Sequence, residues 1–103
     1  MEDISQTIVE EFKERMHISH GAEDSNLKRL LSFSVAYLKG KCGKFDIEDG
    51  SIMENVKAKE LTFERARYAY NDAVEYFEDN FLHDIHSLGL DISFKDMEDI
   101  YDA

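Results

Sequence analysis

The stretch from Thr62 to Leu88, TFERARYAYNDAVEYFEDNFLHDIHSL, contains neither proline nor glycine and repeats its apolar residues at helical spacing. Phe63, Ala66, Tyr70, Ala73, Val74, Phe77 and Phe81 line one side of a 3.6-residue helix. Tyr68 and Tyr76 stand off that row, so aromatic surface reaches a second face. So many rings on one helix need something to pack against, either the chain's own core or another subunit. The pattern predicts one long helix, capped by Thr62 and stopped by Gly89. A break is expected near Asp79–Asn80, where two short polar side chains compete for backbone hydrogen bonds.

The rest of the chain reads the same way. Asp3 and Gln6 have the spacing of a capping box for a helix over about residues 4–17. Ile8, Val9, Phe12 and Met16 form its apolar stripe, with Glu10, Glu11, Lys13 and Glu14 toward solvent. HISHGAED follows as a loop, with Gly21 available for a positive-φ turn. Asp24 or Ser25 then caps a broader, central helix through Leu27, Leu30, Leu31, Phe33, Val35 and Leu38 to about Lys39, terminated by Gly40 and Gly43. Between residues 44 and 60, Phe45 and Ile47 suit a very short strand and Asp49–Gly50 a turn. Ile52, Met53 and Val56 suit either a short helix or a loop folded over the core. The expectation is an all-α bundle with three main helices and an irregular segment between the second and third. Residues 1–90 form the domain, and residues 91–103 form an acidic, flexible C-terminal tail. That tail holds five acids and one base, and its Phe94, Met97, Ile100 and Tyr101 repeat at amphipathic spacing. A segment of this kind folds against a complementary groove.

Length and charge narrow the function. With 103 residues there is room for one domain and no separate regulatory part. A single cysteine excludes an internal disulfide. No apolar run has membrane-spanning length and no basic, apolar signal segment opens the chain, which points to an intracellular protein with no membrane partner. The 23 acidic residues against 12 basic ones, a formal charge of −11, repel duplex DNA and argue against sequence-specific nucleic-acid binding. A negative wall nevertheless suits a passage through which DNA moves without being gripped; the plainer role of the acids is solubility.

Candidate chemistry is sparse. His83 and His86 lie three apart on a predicted helix near Asp79 and Asp84, and His17 and His20 repeat the spacing, but neither pair belongs to a metal motif such as HExxH. No metal or other cofactor is therefore expected. Cys42 lies between Lys41 and Gly43 with no base placed beside it, so it reads as a small buried hydrophobe rather than a nucleophile. Carboxylate pairs among Glu64, Asp72, Glu75, Glu78 and Asp79 follow from acidic crowding, and nothing in the sequence specifies a cleft for them. GKCGK at residues 40–44 lacks the GxxxxGK[ST] spacing and follows a helix instead of preceding one, which rejects nucleotide binding. Arg65 and Arg67, set among Glu64, Asp72 and Glu75, suit surface ion pairs and inter-subunit pairs equally.

The opening helix leading through HISHGAEDSNLKRLLSFSVAYLKGKCG (an acidic turn, then a Leu-rich helix ending in glycine), an irregular middle, and FERARYAYNDAVEYFEDNFLHDIHSLGLDI together resemble the small all-helical head–tail connector (adaptor) proteins of tailed bacteriophages. The similarity covers roughly residues 4–93. The resemblance implies a structural protein and not an enzyme. It implies a homo-oligomeric ring of about twelve copies with closed symmetry, seated on the portal protein and presenting a platform to a stopper or tail-completion protein. It places the chain in the virion neck, and in the host cytoplasm during assembly, as a monomer when free. Arg65, Arg67, Tyr68 and Tyr76 are then the expected subunit contacts, because Tyr and Arg dominate interface energetics. Phe94, Met97, Ile100 and Tyr101 are the expected portal-docking residues. The contrasting reading is a small acidic regulatory module (an antitoxin, an inhibitor or a DNA mimic), which forms tight one-to-one complexes. A metal-dependent enzyme centred on His83 and His86 requires stoichiometric metal.

Overall fold

The computed structural model describes the backbone of residues 3–101 and the side chains of residues 3–97. The chain is an all-α bundle: α1 (Gln6–Met16), α2 (Asp24–Cys42), α3 (Met53–Tyr70), a 3₁₀ turn (Val74–Tyr76) and α4 (Phe77–Tyr101). There is no strand among the described residues.

α1 is capped by Ser5, not by an Asp3–Gln6 box. The Ser5 hydroxyl accepts the Ile8 amide at 3.2 Å and donates to Glu48 at 2.7 Å, which ties the middle loop to the first helix. Gln6 instead donates to Glu10 and Asp24. Ile8, Val9 and Phe12 are buried as their spacing requires. Lys13 is buried too, against the expectation of solvent, because its ammonium reaches Asp24 Oδ1 at 3.0 Å. The helix ends on His17 in the left-handed region (φ 60°), with the Ile18 amide returning to Lys13 O. A histidine thus takes the positive φ assigned to Gly21.

α2 starts at Asp24 with Glu23 in the capping position, neither Asp24 nor Ser25 serving as cap. It runs through Gly40 and stops at Gly43, whose φ of 108° is closed to most side chains. Lys39 and Lys41 complement the helix dipole in its last turn. Phe45 and Ile47 are buried pegs on an irregular loop rather than a strand. The loop's backbone is satisfied locally: Asn55 Oδ1 accepts the Asp46 amide, and Asp46 and Asp49 accept from Glu48 and Ser51.

The largest departure from the sequence pattern is the third helix. α3 begins at Met53, so Thr62 is no cap; it is fully buried in mid-helix and donates its hydroxyl to Ala58 O at 2.8 Å. The continuous helix expected to Leu88 breaks at Asn71–Asp72. Asn71 Nδ2 bonds back to Arg67 O, Asp72 takes φ 56°, and the Ala73 amide closes on Tyr68 O at 2.8 Å. Short polar side chains do stop this helix, but at the first such pair. At the second, Asp79–Asn80, α4 only kinks, with Phe81 at φ −120° and ψ 17°. Gly89 does not stop α4 but sits where it crosses the end of α2, 3.7 Å from Cys42 Cα to an added Cβ.

The reversal folds the two halves of the aromatic row together. Phe77 and Phe81 stack at 5.0 Å between ring centroids, and Tyr68 meets both edge-on at 5.9 and 5.7 Å. Tyr37 approaches Phe77 from α2. In the same core, Phe12 of α1 packs against Phe63 of α3 at 5.4 Å. α2, α3 and α4 each pack on the other two, around Leu27, Leu31, Leu38, Ala58, Ala66, Phe77 and Leu88.

Candidate functional site

α4 outruns the bundle. Ile92 is its last buried residue among the described side chains, lying against Gly43 at the end of α2, and residues 93–97 are exposed. The nine residues from 93 to 101 extend about 13 Å at ~1.5 Å per residue, which fits the molecule's longest dimension of 48 Å against 28 and 22 Å across. On this end Leu90, Phe94 and Met97 form one row at i, i+4 and i+7, exposed by 58, 59 and 49%. Asp91 beside the row is held by Lys57 of α3 at 2.6 Å. That pair raises the lysine's pKa and fixes how α4 crosses α3. Leu90, which is not among the residues expected from sequence, extends the exposed row of Phe94 and Met97, and its signal is the four-residue step to Phe94. Of the residues assigned to docking, Phe94 and Met97 are presented openly, while the side chains of Ile100 and Tyr101 lie outside the described residues.

The four residues assigned to subunit contacts divide. Tyr76 projects freely at 60% exposure. Arg67 is half-exposed and chelates Glu64 within α3 at 2.6 Å, over the Tyr68 ring. Tyr68 is partly buried in the aromatic cluster, and its hydroxyl accepts from Asn80. Arg65 turns inward over Tyr37 and donates to Ser34 at 3.2 Å. Arg65 and Tyr68 thus serve this domain's own packing, which sequence spacing could not show because their partners lie on other elements.

The titratable groups are arranged for structure. The Tyr37 hydroxyl donates to Glu78, and burial first and this bond second push the phenol up to about 12, away from use as a base or nucleophile. Glu78 is held below the usual carboxylate range by that bond and by Lys41 at 3.1 Å. The Cys42 thiol is buried, donates to Ile85 O and is raised by desolvation, the wrong direction for reactivity. His83 and His86 are both exposed. Among the described residues no three His, Cys, Asp or Glu side chains gather as metal ligands, and no helix is long and apolar enough to cross a membrane.

Two further surfaces carry uncovered apolar residues. A groove of about 650 Å³ between α3 and α4 is floored by Val56, Leu61, Phe81 and Leu88. On α2, Phe33 is 48% exposed, on the side away from Leu27, Leu31 and Leu38.

No protein-family model matches the chain, and neither a curated protein nor a solved structure matches it. Function has to be argued from these surfaces.

Proposed function

We propose that this chain is a structural, non-enzymatic neck protein of a tailed bacteriophage. As an oligomeric ring around the DNA channel it joins the portal of the DNA-filled head to a stopper or tail-completion protein. The observation that carries the reading is the end of α4, which leaves the bundle with Leu90, Phe94 and Met97 in one exposed row. An amphipathic helix end of this kind is a segment for insertion into a partner's groove. The resemblance of HISHGAEDSNLKRLLSFSVAYLKGKCG and the Phe63–Ile92 stretch to phage connectors supplies the partner's identity. The formal charge of −11 suits a channel wall that DNA passes without being gripped. No cofactor enters this role, and its place is the head–tail junction, reached from the host cytoplasm.

The contrasting regulatory reading includes a DNA mimic, which needs rows of free carboxylates. Here Glu11, Glu60, Glu64, Glu78 and Asp91 are paired with Lys59, Arg15, Arg67, Lys41 and Lys57.

Electron microscopy of portal particles encoded beside this gene, mixed with the protein, tests the proposal. An added ring of closed symmetry with the α4 end against the portal is expected. Absence of binding at micromolar protein, with a tight one-to-one complex to some other protein, would transfer the function to the regulatory reading.

A further inference from the structure

Because α2, α3 and α4 pack pairwise, the bundle is triangular in section. The α3–α4 groove therefore opens away from α2, and the outer face of α2 looks in the opposite direction. α1 contacts α2, lays Phe12 on Phe63 of α3 and reaches the groove's rim only through Arg15, which pairs with Glu60 and Glu64; Val56 in the groove and Phe33 on α2 remain exposed.

The two surfaces complement each other in shape and charge. The groove has an apolar floor and a rim of Glu60, Glu64, Asp84 and Lys57, the lysine being paired with Asp91 so that the rim stays acidic on balance. Glu60 is paired with Arg15 and Glu64 with Arg67, whereas Asp84 has no hydrogen bond or ion pair among the described residues. The outer face of α2 presents Arg29, Phe33, Ala36 and Gly40 in one exposed row at steps of four, three and four. Arg29 likewise has no hydrogen bond or ion pair among the described residues. Gly40 lies three residues inside the helix end, and a Cβ added there would meet nothing within 4 Å. Glycine weakens a helix relative to alanine, and no packing within the fold requires it here. A second backbone approaching this face would.

We propose that these faces are the two halves of one contact between copies of this chain. α2 of one copy lies along the α3–α4 groove of the next, with Phe33 on the groove floor, Arg29 facing Asp84, and Ala36 and Gly40 admitting the neighbouring helices closely. The contact joins opposite sides of the molecule, so it is heterologous and repeats, closing into a ring or running on as a filament. It deepens the ring reading above and rests on that reading only for closure. The α4 end takes no part, which leaves it free for another protein.

Sedimentation equilibrium of the whole chain at about 0.15 M salt, where repulsion between acidic copies is screened, tests the contact. Wild type should self-associate as its concentration rises toward millimolar. Arg29→Glu and Asp84→Arg should each weaken association by about tenfold or more, and the double reversal should restore most of it. Phe33→Asp and Val56→Asp, both at exposed positions, should each be monomeric, and their mixture should form a dimer that grows no further. Gly40→Ala should raise the melting temperature while weakening association. A wild type monomeric to millimolar concentration, single reversals without effect, or a mixture that does not pair would overturn the proposal. Portal-bound rings that tolerate both single reversals would overturn this contact and leave the neck reading standing. Self-association that answers to the reversals, with no portal binding, would sustain the contact and remove the neck reading.

Discussion

The guanidinium of Arg65 lies over the ring of Tyr37, 4.4 Å from its centroid, and joins α3 to α2 across the top of the aromatic cluster. Burial lowers the pKa of Arg65, and its remaining polar contact is to Ser34. The residue therefore acts within the monomer through cation–π contact and stem packing. Arg65→Ala should cost about 1–2 kcal/mol in urea denaturation of the monomer. Arg65→Lys should recover only part of that, since an ammonium cannot lie flat on a ring. A residue serving only an interface would leave the monomer's denaturation midpoint unmoved.

Tyr68 and Tyr76, equivalent in a one-dimensional pattern, should behave oppositely. Tyr68 meets Phe77 and Phe81 edge-on, and its truncation to alanine should destabilise the monomer by about 2–3 kcal/mol. Tyr76 is 60% exposed, and Tyr76→Ala should stay within about 0.5 kcal/mol of wild type. Chemical denaturation of the two variants side by side distinguishes the roles; equal losses would place Tyr76 in the core as well.

Tyr37 and Asp24 link stability to pH with opposite signs. Tyr37 is raised to about 12 in the folded protein, against about 10 in an unfolded chain. The unfolded state therefore loses this proton first, and the tyrosine's contribution is full below about pH 10 and disappears by about pH 12. Tyr37, and Tyr70 through its hydrogen bond to Glu23, should both ionise late in an ultraviolet absorbance titration, and Tyr37→Phe should remove one tyrosine from that late phase. Asp24 is depressed, chiefly by its hydrogen bond to Lys13 and then by Gln6. Its contribution is present at neutral pH and is lost as pH falls through and below the ordinary carboxylate range. Asp24→Asn should be less stable than wild type near neutrality and converge with it in acid. A stability gap unchanged from neutral pH into acid would show that Asp24 acts other than through its charge.

The fold class was legible in the sequence because unbroken helical periodicity with no proline leaves little alternative. Ile8, Val9 and Phe12 on α1, and Leu27, Leu31 and Leu38 on α2, all face the core as their spacing requires. The boundary between α3 and α4 was not legible. Phe63 and Ala66 before the turn and Phe77 and Phe81 after it face one cluster, so the apolar period continues through a chain reversal. Asn71–Asp72 and Asp79–Asn80 are also alike in composition. What separates them is the left-handed conformation of Asp72 and the Ala73–Tyr68 bond that closes the turn. Thr62 looked like a cap because its hydroxyl bonds to backbone; in fact it bonds within the helix, to Ala58. Openness at Tyr76, Phe94 and Met97 followed the pattern. The inward turn of Arg65 depends on Tyr37 and Ser34, about thirty residues away, and no local spacing encodes that.

The end of α4 should be separable from the fold that carries it. Ile92 is the last buried residue of the helix among the described side chains, and the Lys57–Asp91 pair that holds α4 to α3 lies before it. A chain ending at Ser93 keeps both and, among the described residues, gives up only exposed surface, so its stability should fall by no more than about 0.5–1 kcal/mol. The helical signal should fall only by the share of the residues removed. Under the neck reading, the same truncation should abolish binding to portal particles in co-sedimentation. The full-length Phe94→Ser, Met97→Ser double variant should do so as well, while keeping the helix and the chain's charge. A truncated chain that still decorates portals would move docking to another surface, with Tyr76 the first to examine. If the truncation instead unfolded the domain, the residues beyond Ile92 would be part of the bundle, and the double variant alone would then decide whether Phe94 and Met97 meet the partner.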